Sequence, residues 1–535
     1  MRGLRDRLDP AGRIAARVRG LVATPDPCVV LLGPRRHRLE RELRRRLPAS
    51  TTIALSGGPQ RQHLALAEAG PVDLVVDTSA DRRLRHFRTC FFHLRPGGSY
   101  LVVDGAGELG PEAGPLGRVL NQAGRAPPGP LRAFKVPPRT SDRRALRDHV
   151  RARAEGPDLV LTHDLPDVVV ELREEEGSEL LARLPGGHRV RQVLAGDAPP
   201  LPEVREGPVP RRKYAGLGLS RVPLSLRDCR DVVVAPYQVV LAGRIALPDT
   251  FRHNQSRRLR NKALASVGPR HSVPVVPLPA EIPRLEGTYL HLDDEARGHF
   301  GHLLTETVSR VWAWPEALAV DPDACVLVCG THKRPALLGY ELEVYAACGI
   351  PADRVVLVDG PTRVERLVSG TPMFCNPHYV HPAIAGTWDA VGDRLAACAE
   401  PRAWPRRIFV TRREAKRRCH NAEEVEAQFL PHGFEVVHPE DHPLGDQVRM
   451  FRDAEVVAGF GGSGLFQLAF VPTPLRVIEV VSDAYHARNE LLIAAVRRHR
   501  IDTVVCRADE PTMQSPFRYD DAREGPFLRE TLAGL

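Results

Sequence analysis

A cluster of glycines in the C-terminal half of the chain is the first feature that could do chemistry. It interrupts an apolar run that reads EVVAGFGGSGLFQLAF, so it falls between a predicted strand and a predicted helix. Backbone N–H groups at such a junction point along the helix dipole and suit an anion such as a phosphate. The plainer interpretation is a tight turn in which the strand and the helix pack closely. The cluster consists of Gly461, Gly462, Ser463 and Gly464.

Arginines follow the first strand of the same predicted unit, in the stretch IFVTRREAKRRCHN. Arg412 and Arg413 end that strand, and Arg417 and Arg418 follow in the next loop. Asn421 is a predicted N-cap for the helix that comes after the loop. Because parallel strands end at one edge of their sheet, these guanidinium groups are predicted to lie beside the glycine cluster, where they suit a diphosphate. A solvated arginine-rich loop is the alternative.

Acidic and histidine side chains supply further candidates. Glu479 ends the predicted strand RVIEV, where a carboxylate can accept hydrogen bonds from ribose hydroxyls, although an exposed strand-end acid would look the same. His302 and Glu306 are four residues apart, so they share one face of a predicted helix, and a surface ion pair is the alternative to a functional pair. The adjacent acids Asp293 and Asp294 favour capping of that helix over metal binding, because they lack the spacing of a ligand pair.

The surrounding elements form an α/β protein. Apolar strands alternate with helices, which predicts parallel sheets, and two successive doubly wound sheets in the C-terminal half predict a cleft between them. The predicted order is a small α/β domain, a Pro/Gly-rich linker with a small ordered insert, and two Rossmann-like domains. Their predicted bounds are 1–110, 111–227, 228–400 and 401–535.

The last two regions resemble glycosyltransferase family 61. The resemblance covers about 228 to 510 and includes the start of the helix GHFGHLLTETVSRVW, where Gly301 and His302 match. The sequence departs from the family at Phe460, where the family has a histidine, and at Gly462, where it has an alanine. The matching positions in the C-terminal block, in chain order, are Arg412, Arg418, Asn421, Gln447, Gly461, Gly464, Leu465 and Glu479.

This resemblance implies a GT-B fold and an inverting transfer from a nucleotide sugar to a glycan or polysaccharide acceptor, with no obligatory metal and no cofactor. An inverting transfer needs a base for the acceptor hydroxyl and positive charge for the leaving diphosphate. His302 is the expected base or acceptor ligand, and Glu306 is expected to orient it. The expected donor-binding residues are Arg412, Arg413, Arg418, Asn421, Gly461, Gly462, Ser463, Gly464 and Glu479. A scaffold that has kept the fold and lost turnover is an alternative, since Phe460 departs from the family.

The N-terminal region offers a second resemblance. Its stretch HLRPGGSYLVVD is similar to the late helix, turn and strand of class I S-adenosylmethionine methyltransferases. A working member would carry a glycine-rich loop after its first strand, whereas this chain has Gly-Pro-Arg-Arg-His from Gly33 onward. We therefore expect a degenerate, structural domain over 1–110, and an S-adenosylmethionine-dependent methyltransferase is the alternative function.

Composition limits which partners and which cellular compartment the sequence predicts. The 535 residues carry a net charge of +9, but the basic residues are interspersed with acids and aromatics are only 5%, which argues against nucleic acid. The ten cysteines form no Cys-x-x-Cys pair, which predicts reduced thiols and a cytoplasmic protein. No apolar run approaches the roughly 20 residues of a membrane span. The N-terminal arginine-rich amphipathic stretch predicts a helix packed on its own domain, with peripheral contact at the inner face of a membrane as the alternative.

Overall fold

The computed structural model describes residues 10–132, 136–208, 218–413 and 417–535. It divides into two compact units. The first unit comprises 1–189, 229–285 and 361–363, and the second comprises 190–228, 286–360 and 364–535. The predicted domain bounds stay predictions, and residues 1–9 of the predicted N-terminal helix lie outside the described residues.

The helices of the first unit are α1 (Pro10–Leu21), α2 (Arg36–Arg46), α3 (Pro59–Ala69), α4 (Arg83–Cys90), α5 (Pro115–Gly124), α6 (Pro138–His149) and α7 (Glu174–Leu181). Short 3₁₀ helices lie at Phe91–His93, Ala106–Leu109 and Pro248–Thr250. Its strands are β1 (Cys28–Leu32), β2 (Thr51–Ala54), β3 (Val72–Asp77), β4 (Leu94–Val102), β5 (Val150–Glu155), β6 (Asp158–His163), β7 (Val169–Glu171), β11 (Val239–Ala242), β12 (Ile245–Ala246), β13 (Leu264–Gly268) and β14 (His271–Pro274), together with the later part of β10 (Val222–Ala235).

A six-stranded sheet forms the centre of the first unit, in the order β2-β1-β3-β4-β6-β5. Strands β1 to β4 are parallel, and β5 and β6 form an antiparallel hairpin at the edge. A smaller ladder runs in the order β13-β14-β7-β12-β11-β10. Helix α1 buries Ile14, Ala15 and Val18 in the core of its own unit, which confirms the predicted packing of the amphipathic helix.

The helices of the second unit are α8 (Phe300–His302), α9 (Trp314–Val320), α10 (Gly339–Ala347), α11 (Ile384–Ala396), α12 (Ala422–Phe429), α13 (Leu444–Asp453), α14 (Asn489–Arg497) and α15 (Asp521–Ala533). A π-helical segment covers Leu303–Thr307, and 3₁₀ segments cover Val308–Ala313, Ala352–Arg354, Leu430–His432, Pro439–Asp441 and Ser463–Phe470. Its strands are β8 (Arg189–Asp197), β9 (Val204–Gly207), β15 (Arg284–His291), β16 (Cys325–Cys329), β17 (Val355–Val358), β18 (Thr362–Gly370), β19 (Phe374–Cys375), β20 (Tyr379–Val380), β21 (Arg407–Val410), β22 (Glu435–Val437), β23 (Val456–Phe460), β24 (Arg476–Ser482), β25 (Arg500–Ala508) and β26 (Phe517–Arg518).

Two Rossmann-type sheets organise the second unit. One contains the order β18-β15-β16-β17, in which β15, β16 and β17 are parallel. The other has the order β22-β21-β23-β24-β25-β26, in which β21 to β25 are parallel. The predicted α/β class and its pair of Rossmann-type sheets are therefore confirmed. In the second sheet the strand order reverses between β21 and β23, and the crevice beside such a reversal is where ligands bind in doubly wound sheets.

Two local expectations need correction. The segment Pro96-Gly97-Gly98, expected as a turn before a strand, is a bulge within β4: the strand pairs with β3 at Leu94 and again from Ser99, and Gly97 between them has a φ of 79°. The Pro/Gly-rich stretch 111–227 also carries more order than a small insert, since β5 and β6 extend the first sheet and β9 pairs with β25. Neither pairing is visible in local periodicity, because each depends on a partner strand far away in the sequence.

Candidate functional site

Two loops meet at the reversal of strand order in the C-terminal sheet. Strand β21 ends at Val410 and leads into Thr411 and Arg412, and its neighbour β23 ends at Phe460 and leads into Gly461. The two strands are parallel and pair Val410 with Gly459, so both loops leave the same edge of the sheet. The predicted meeting of the arginine loop and the glycine cluster is thus confirmed.

The guanidinium group of Arg412 joins these two loops. Its Nη1 donates to the carbonyl of Gly461 at 3.3 Å, and its Nη2 donates to the carbonyl of Arg417 at 3.0 Å. Arg417 has a left-handed backbone (φ 55°), and its guanidinium lies over the ring of Tyr485 at 4.8 Å from the centroid. Burial raises the pKa of Tyr485 well above its usual value, and the protonated hydroxyl donates to Glu490 Oε1 at 2.9 Å. Two positive charges are therefore held at the glycine turn.

The glycines of the turn have different reasons to lack a side chain. A Cβ on Gly461 would lie 2.4 Å from Val481 Cγ1, which is the close packing that the plainer interpretation expects. Gly462 has a φ of 141°, and its Cβ would lie 3.0 Å from Arg417 Nη2 and 3.2 Å from Arg412 Nη1. Gly461 thus meets a packing requirement, and Gly462 leaves room for the two guanidinium groups.

A cavity of about 500 Å³ opens over this turn. Arg412, Arg417 and Ser463 line it from the C-terminal sheet, and Phe300 and Tyr340 line it from the elements that follow β15 and β16. The two Rossmann-type sheets of the second unit therefore share one concave site, as the predicted cleft requires. Its size is within the range of about 300–1,000 Å³ that small-molecule sites occupy.

The predicted pair of His302 and Glu306 lies on the helical segment that begins at the cavity residue Phe300, and neither side chain is part of the cavity lining. His302 Nδ1 is 3.2 Å from Glu306 Oε2, and the imidazole remains partly exposed while the carboxylate is nearly buried. A Cβ on Gly301 would lie 2.8 Å from Ser463 Cβ, so α8 packs directly on the glycine turn. The segment continues as a π-helical turn over Leu303–Thr307, and single π turns inside helices occur often at functional sites.

The acids that follow β15 do not cap this helix. Asp293 Oδ1 accepts from the N–H of Cys329 at 3.1 Å, and Asp294 Oδ1 accepts from the N–H of Ala296 at 2.5 Å. The helix begins later, at Phe300. Both carboxylates are buried and serve the turn that leads to the helix, so the expected capping role is wrong.

Several predicted donor-binding residues lie outside the lining of the cavity. Arg413 is exposed and pairs with Asp441, to which its Nη2 donates at 2.7 Å. Arg418 is exposed as well. Asn421 occupies the N-cap position of α12, but its side chain makes no capping bond to the helix and instead bonds the backbone of Tyr519. The structure therefore does not bring these three side chains together with Arg412.

Glu479 is the largest departure from the expected placement. It does not end its strand, because β24 continues to Ser482, and its carboxylate is fully buried. Thr503 Oγ1 donates to its Oε1 at 2.8 Å, and its Oε2 lies 3.6 Å from where a Cβ on Gly461 would be. The residue thus lies beneath the glycine turn, where it supports the turn from within the sheet.

Phe460, which stands where the family has a histidine, belongs to the core. It is 5% exposed, and its ring packs edge to face on Phe409 at a centroid distance of 5.2 Å and on Phe517 at 6.3 Å. The positive charge at the turn is supplied by Arg412 and Arg417.

Tyr340 and Phe300 are cavity residues that the sequence reading missed. Tyr340 comes from α10, whose residues showed only a helical pattern, and Phe300 precedes the matching Gly301. Their rings pack edge to face at 5.7 Å and form an apolar wall of the cavity. Burial raises the pKa of Tyr340, so its hydroxyl stays protonated. The sequence offered one signal for these cavity residues, which is that the aromatic Phe300 stands next to Gly301, a position that matches the family.

The methyltransferase-like region of the first unit shows a closed loop after β1. Gly33 has a φ of 90°, and a Cβ there would lie 2.6 Å from Thr78 Oγ1 and 2.7 Å from the N of Ser79. The loop is therefore packed against the chain that follows β3. A cavity of about 510 Å³ in this unit is lined by residues of α3 and α4 instead, and the stretch from Gly33 to Arg35 is not part of its wall.

Residues 300–478 match the family model of Glycosyltransferase 61. The matched segment contains the helical segment of His302, the arginine loop and the glycine turn, so the resemblance to this family is confirmed over those residues. No curated protein sequence matches the chain.

Two solved structures show partial similarity. MycE, a methyltransferase from the mycinamycin biosynthetic pathway in complex with Mg and SAH, is 16% identical, with a TM-score of 0.19, over 26% of this chain and 41% of that chain. The chain thus spans about two fifths of the length of that methyltransferase. The dodecameric iron-containing heptosyltransferase TibC, in complex with ADP-D-β-D-heptose, is 10% identical, with a TM-score of 0.20, over 48% of this chain and 74% of that chain. No helix among the described residues combines the length and the apolar character needed to cross a membrane.

Proposed function

We propose that the protein is a glycosyltransferase that moves a hexosyl or pentosyl group from a nucleotide sugar to a hydroxyl of a glycan or polysaccharide, with inversion and without an obligatory metal or cofactor. The observation that carries the proposal is the pair of guanidinium groups, Arg412 and Arg417, at a glycine turn within a shared cavity. All of these residues lie in the segment that matches the glycosyltransferase family.

The leaving group defines the role of the arginines. When the glycosidic bond to the donor breaks, negative charge develops on the diphosphate, and fixed positive charge lowers the energy of that state. Arg412 is already oriented by two backbone carbonyls, and Arg417 is oriented by the ring of Tyr485. Guanidinium groups in fixed positions can bind phosphate oxygens in a bidentate manner, which is why a divalent metal is not required for this role.

The acceptor hydroxyl needs a base on the opposite face of the sugar. His302 fits this role because the carboxylate Oε2 of Glu306, 3.2 Å from its Nδ1, favours the proton on that nitrogen and leaves the lone pair of Nε2 for the acceptor proton. Attack by the deprotonating hydroxyl from the face opposite the diphosphate inverts the anomeric carbon. The aromatic wall of Phe300 and Tyr340 suits the apolar face of a sugar ring.

The proposal also includes the compartment and the partners of the enzyme. A cytoplasmic enzyme that works on a cell-surface or secreted polysaccharide fits a nucleotide-sugar donor, and contact with the inner face of a membrane is compatible with the arginine-rich N-terminal stretch. Nucleic acid is not a proposed partner, because the basic residues are interspersed with acids along the chain.

Adjacent arginines provide a matched test of donor binding. We expect Arg412→Ala to weaken binding of the preferred donor by roughly 10- to 100-fold, since a hydrogen bond to a charged group contributes about 1.5–3 kcal/mol. Arg413→Ala should change the affinity by less than about 5-fold, because an exposed ion pair contributes about 0–1 kcal/mol. Calorimetry with a panel of nucleotide sugars measures both. Equal effects of the two substitutions, or donor binding that neither changes, would contradict the proposed diphosphate site.

Turnover tests the role of His302 separately. His302→Ala should lower kcat by about 10²–10⁴-fold while donor affinity stays within a factor of about 3, because a general base acts on the acceptor and not on the donor. Donor binding without any transfer or hydrolysis in the wild-type protein would instead support the scaffold interpretation. A kcat for His302→Ala equal to that of the wild type would remove the histidine from the mechanism.

A further inference from the structure

Three histidines from distant parts of the chain meet inside the first unit. His63 comes from α3, His93 ends the 3₁₀ helix Phe91–His93, and His271 begins β14. They are 2%, 0% and 0% exposed. One ring nitrogen from each lies within 4.8 Å of the other two, and their ring centroids are 4.6–5.5 Å apart. Such convergence of fully buried imidazoles calls for a physical reason.

Hydrogen bonding orients the first two rings toward each other. His63 Nε2 lies 3.1 Å from the carbonyl oxygen of Glu171, which can only accept, so this nitrogen carries the proton. Its Nδ1 therefore presents a lone pair, and it faces His93 Nε2 at 3.0 Å. A backbone carbonyl that fixes the tautomer of a histidine from behind is the usual outer-shell arrangement of metal-bound histidines.

The ring of His271 has no hydrogen-bond partner in the part of the chain that the structure describes. Both ring nitrogens of His271, and Nδ1 of His93, are buried without a partner among the described residues. A buried polar atom left unsatisfied costs about 1–3 kcal/mol, so a cluster held together only by packing would leave three such groups uncompensated. A bound cation would use the lone pair of His271 and remove part of that cost.

The charge states of the cluster suit a cation ligand set. All three rings are buried, and burial disfavours the positively charged form of an imidazole. Neutral imidazole is the form that binds metals. Two nearby arginines oppose a cation, but Arg270 is paired with Glu176, and Arg244 donates to the carbonyl of His93 at 3.1 Å.

We propose that His63, His93 and His271 bind a transition-metal ion of the Zn²⁺ type. Three imidazoles favour Zn²⁺ over Mg²⁺ or Ca²⁺, which prefer oxygen ligands. Three protein ligands leave the fourth position of a tetrahedral zinc ion for water or another small ligand. His63 also lines the cavity of about 510 Å³ in this unit, so one of the three proposed ligands borders open space.

This site is separate from the proposed transfer chemistry. Its three ligands belong to the first unit, whereas the residues of the proposed donor and acceptor sites belong to the second. The metal proposal can therefore fail without the glycosyltransferase proposal, and the reverse is equally true. Loss of metal should leave nucleotide-sugar affinity unchanged.

Metal analysis of the full-length protein tests the proposal directly. We expect about one equivalent of zinc by mass spectrometry after purification without chelators, and one saturable site when Zn²⁺ is returned to chelator-treated protein. Co²⁺ in place of Zn²⁺ should give the visible bands of a tetrahedral nitrogen-ligated site. A wild-type protein that shows neither stoichiometric binding nor these bands overturns the proposal, whatever the variants do.

Variants assign the ligands. His93→Ala and His271→Ala should each weaken Zn²⁺ binding by at least about 100-fold, a loss at the upper end of what outer-shell substitutions cause. His163→Ala is the matched control, because His163 is also buried in this unit and bonds the carbonyl of Leu94 at 3.0 Å outside the cluster. Circular dichroism checks that each variant is folded. Folded His271→Ala protein that binds zinc like the wild type would refute the assignment.

Discussion

Substitution of Gly301 by alanine tests whether the His302 helix and the glycine turn form one site. The added Cβ would lie 2.8 Å from Ser463 Cβ and 2.9 Å from Phe466 Cε2, distances that real Cβ atoms do not occupy, so the two elements must separate. Overpacking of this kind costs about 1–3 kcal/mol, and the alanine recovers at most about 1 kcal/mol of helix propensity. We therefore expect a net loss of about 1–2 kcal/mol in the free energy of unfolding.

The same separation of the helix and the turn should also lower the rate of sugar transfer. Ser463 belongs to the glycine turn that Arg412 and Arg417 contact, and His302 is the neighbour of Gly301, so a shift of a few tenths of an ångström changes the distance between base and donor site. Misplacement of reacting groups by about 1 Å can lower rates by about 100-fold. We expect kcat to fall by roughly 10-fold or more while the donor affinity changes less.

A glycine elsewhere in the second unit supplies the control for this substitution. Gly386 is exposed in α11, and a Cβ there would meet nothing within 4 Å. Gly386→Ala should raise the free energy of unfolding by about 0.5–1 kcal/mol and leave kcat unchanged. Urea unfolding and steady-state transfer assays measure both variants. If Gly301→Ala is as stable and as active as Gly386→Ala, the close packing of helix and turn has no functional meaning.

Three further substitutions probe the supports of the site. Gly462→Ala should weaken donor binding by at least about 10-fold, because the added Cβ displaces the guanidinium of Arg417 and strains a φ of 141°. Unchanged donor affinity by calorimetry would argue against an anion site. Phe460→His should lower the free energy of urea unfolding by about 1–3 kcal/mol, because a polar ring replaces an aromatic one packed on Phe409, and an unaltered unfolding curve would contradict the core assignment. Burial lowers the pKa of His499 to about 4, so its contribution to stability is complete above pH 6.5 and is lost as the pH falls toward 4. Relative to His499→Gln, the wild type should lose about 2 kcal/mol between pH 7.5 and pH 5.0, and parallel pH profiles of unfolding would refute this.

Much of the fold could be predicted because its central strands are apolar runs bounded by turns. Strands β1, β3, β21 and β23 are recognisable in this way, and their alternation with helices indicates parallel sheets. Strand β2 was not recognisable, because Thr51–Ala54 is short and half polar. The hairpin of β5 and β6 was not recognisable for another reason. The exposed strand β5 reads VRARAE, and the hairpin is stabilised because β6 pairs with β4.

The candidate site could be predicted only as far as strand order determines it. Adjacent parallel strands place Arg412 beside Gly461, and that proximity is confirmed. The partners of other side chains were not predictable, since Arg413 pairs with Asp441 in a different loop and Glu479 turns out to lie beneath the turn. The three-histidine cluster gives no local signal either, because its members come from a helix, a 3₁₀ turn and a strand that no motif spacing connects.

The two interpretations of the glycine cluster, a tight turn and an anion site, apply to different residues of it. Gly461 lacks a side chain because Val481 occupies the space, and a turn with no ligand would require the same. Gly462 lacks one because two guanidinium groups occupy the space, and packing of a strand against a helix does not require that. Guanidinium groups in fixed positions at the edge of a cavity suit an anionic ligand. Within the cluster, Gly462 is therefore the residue whose neighbours, the guanidinium groups of Arg412 and Arg417, favour the anion-site interpretation.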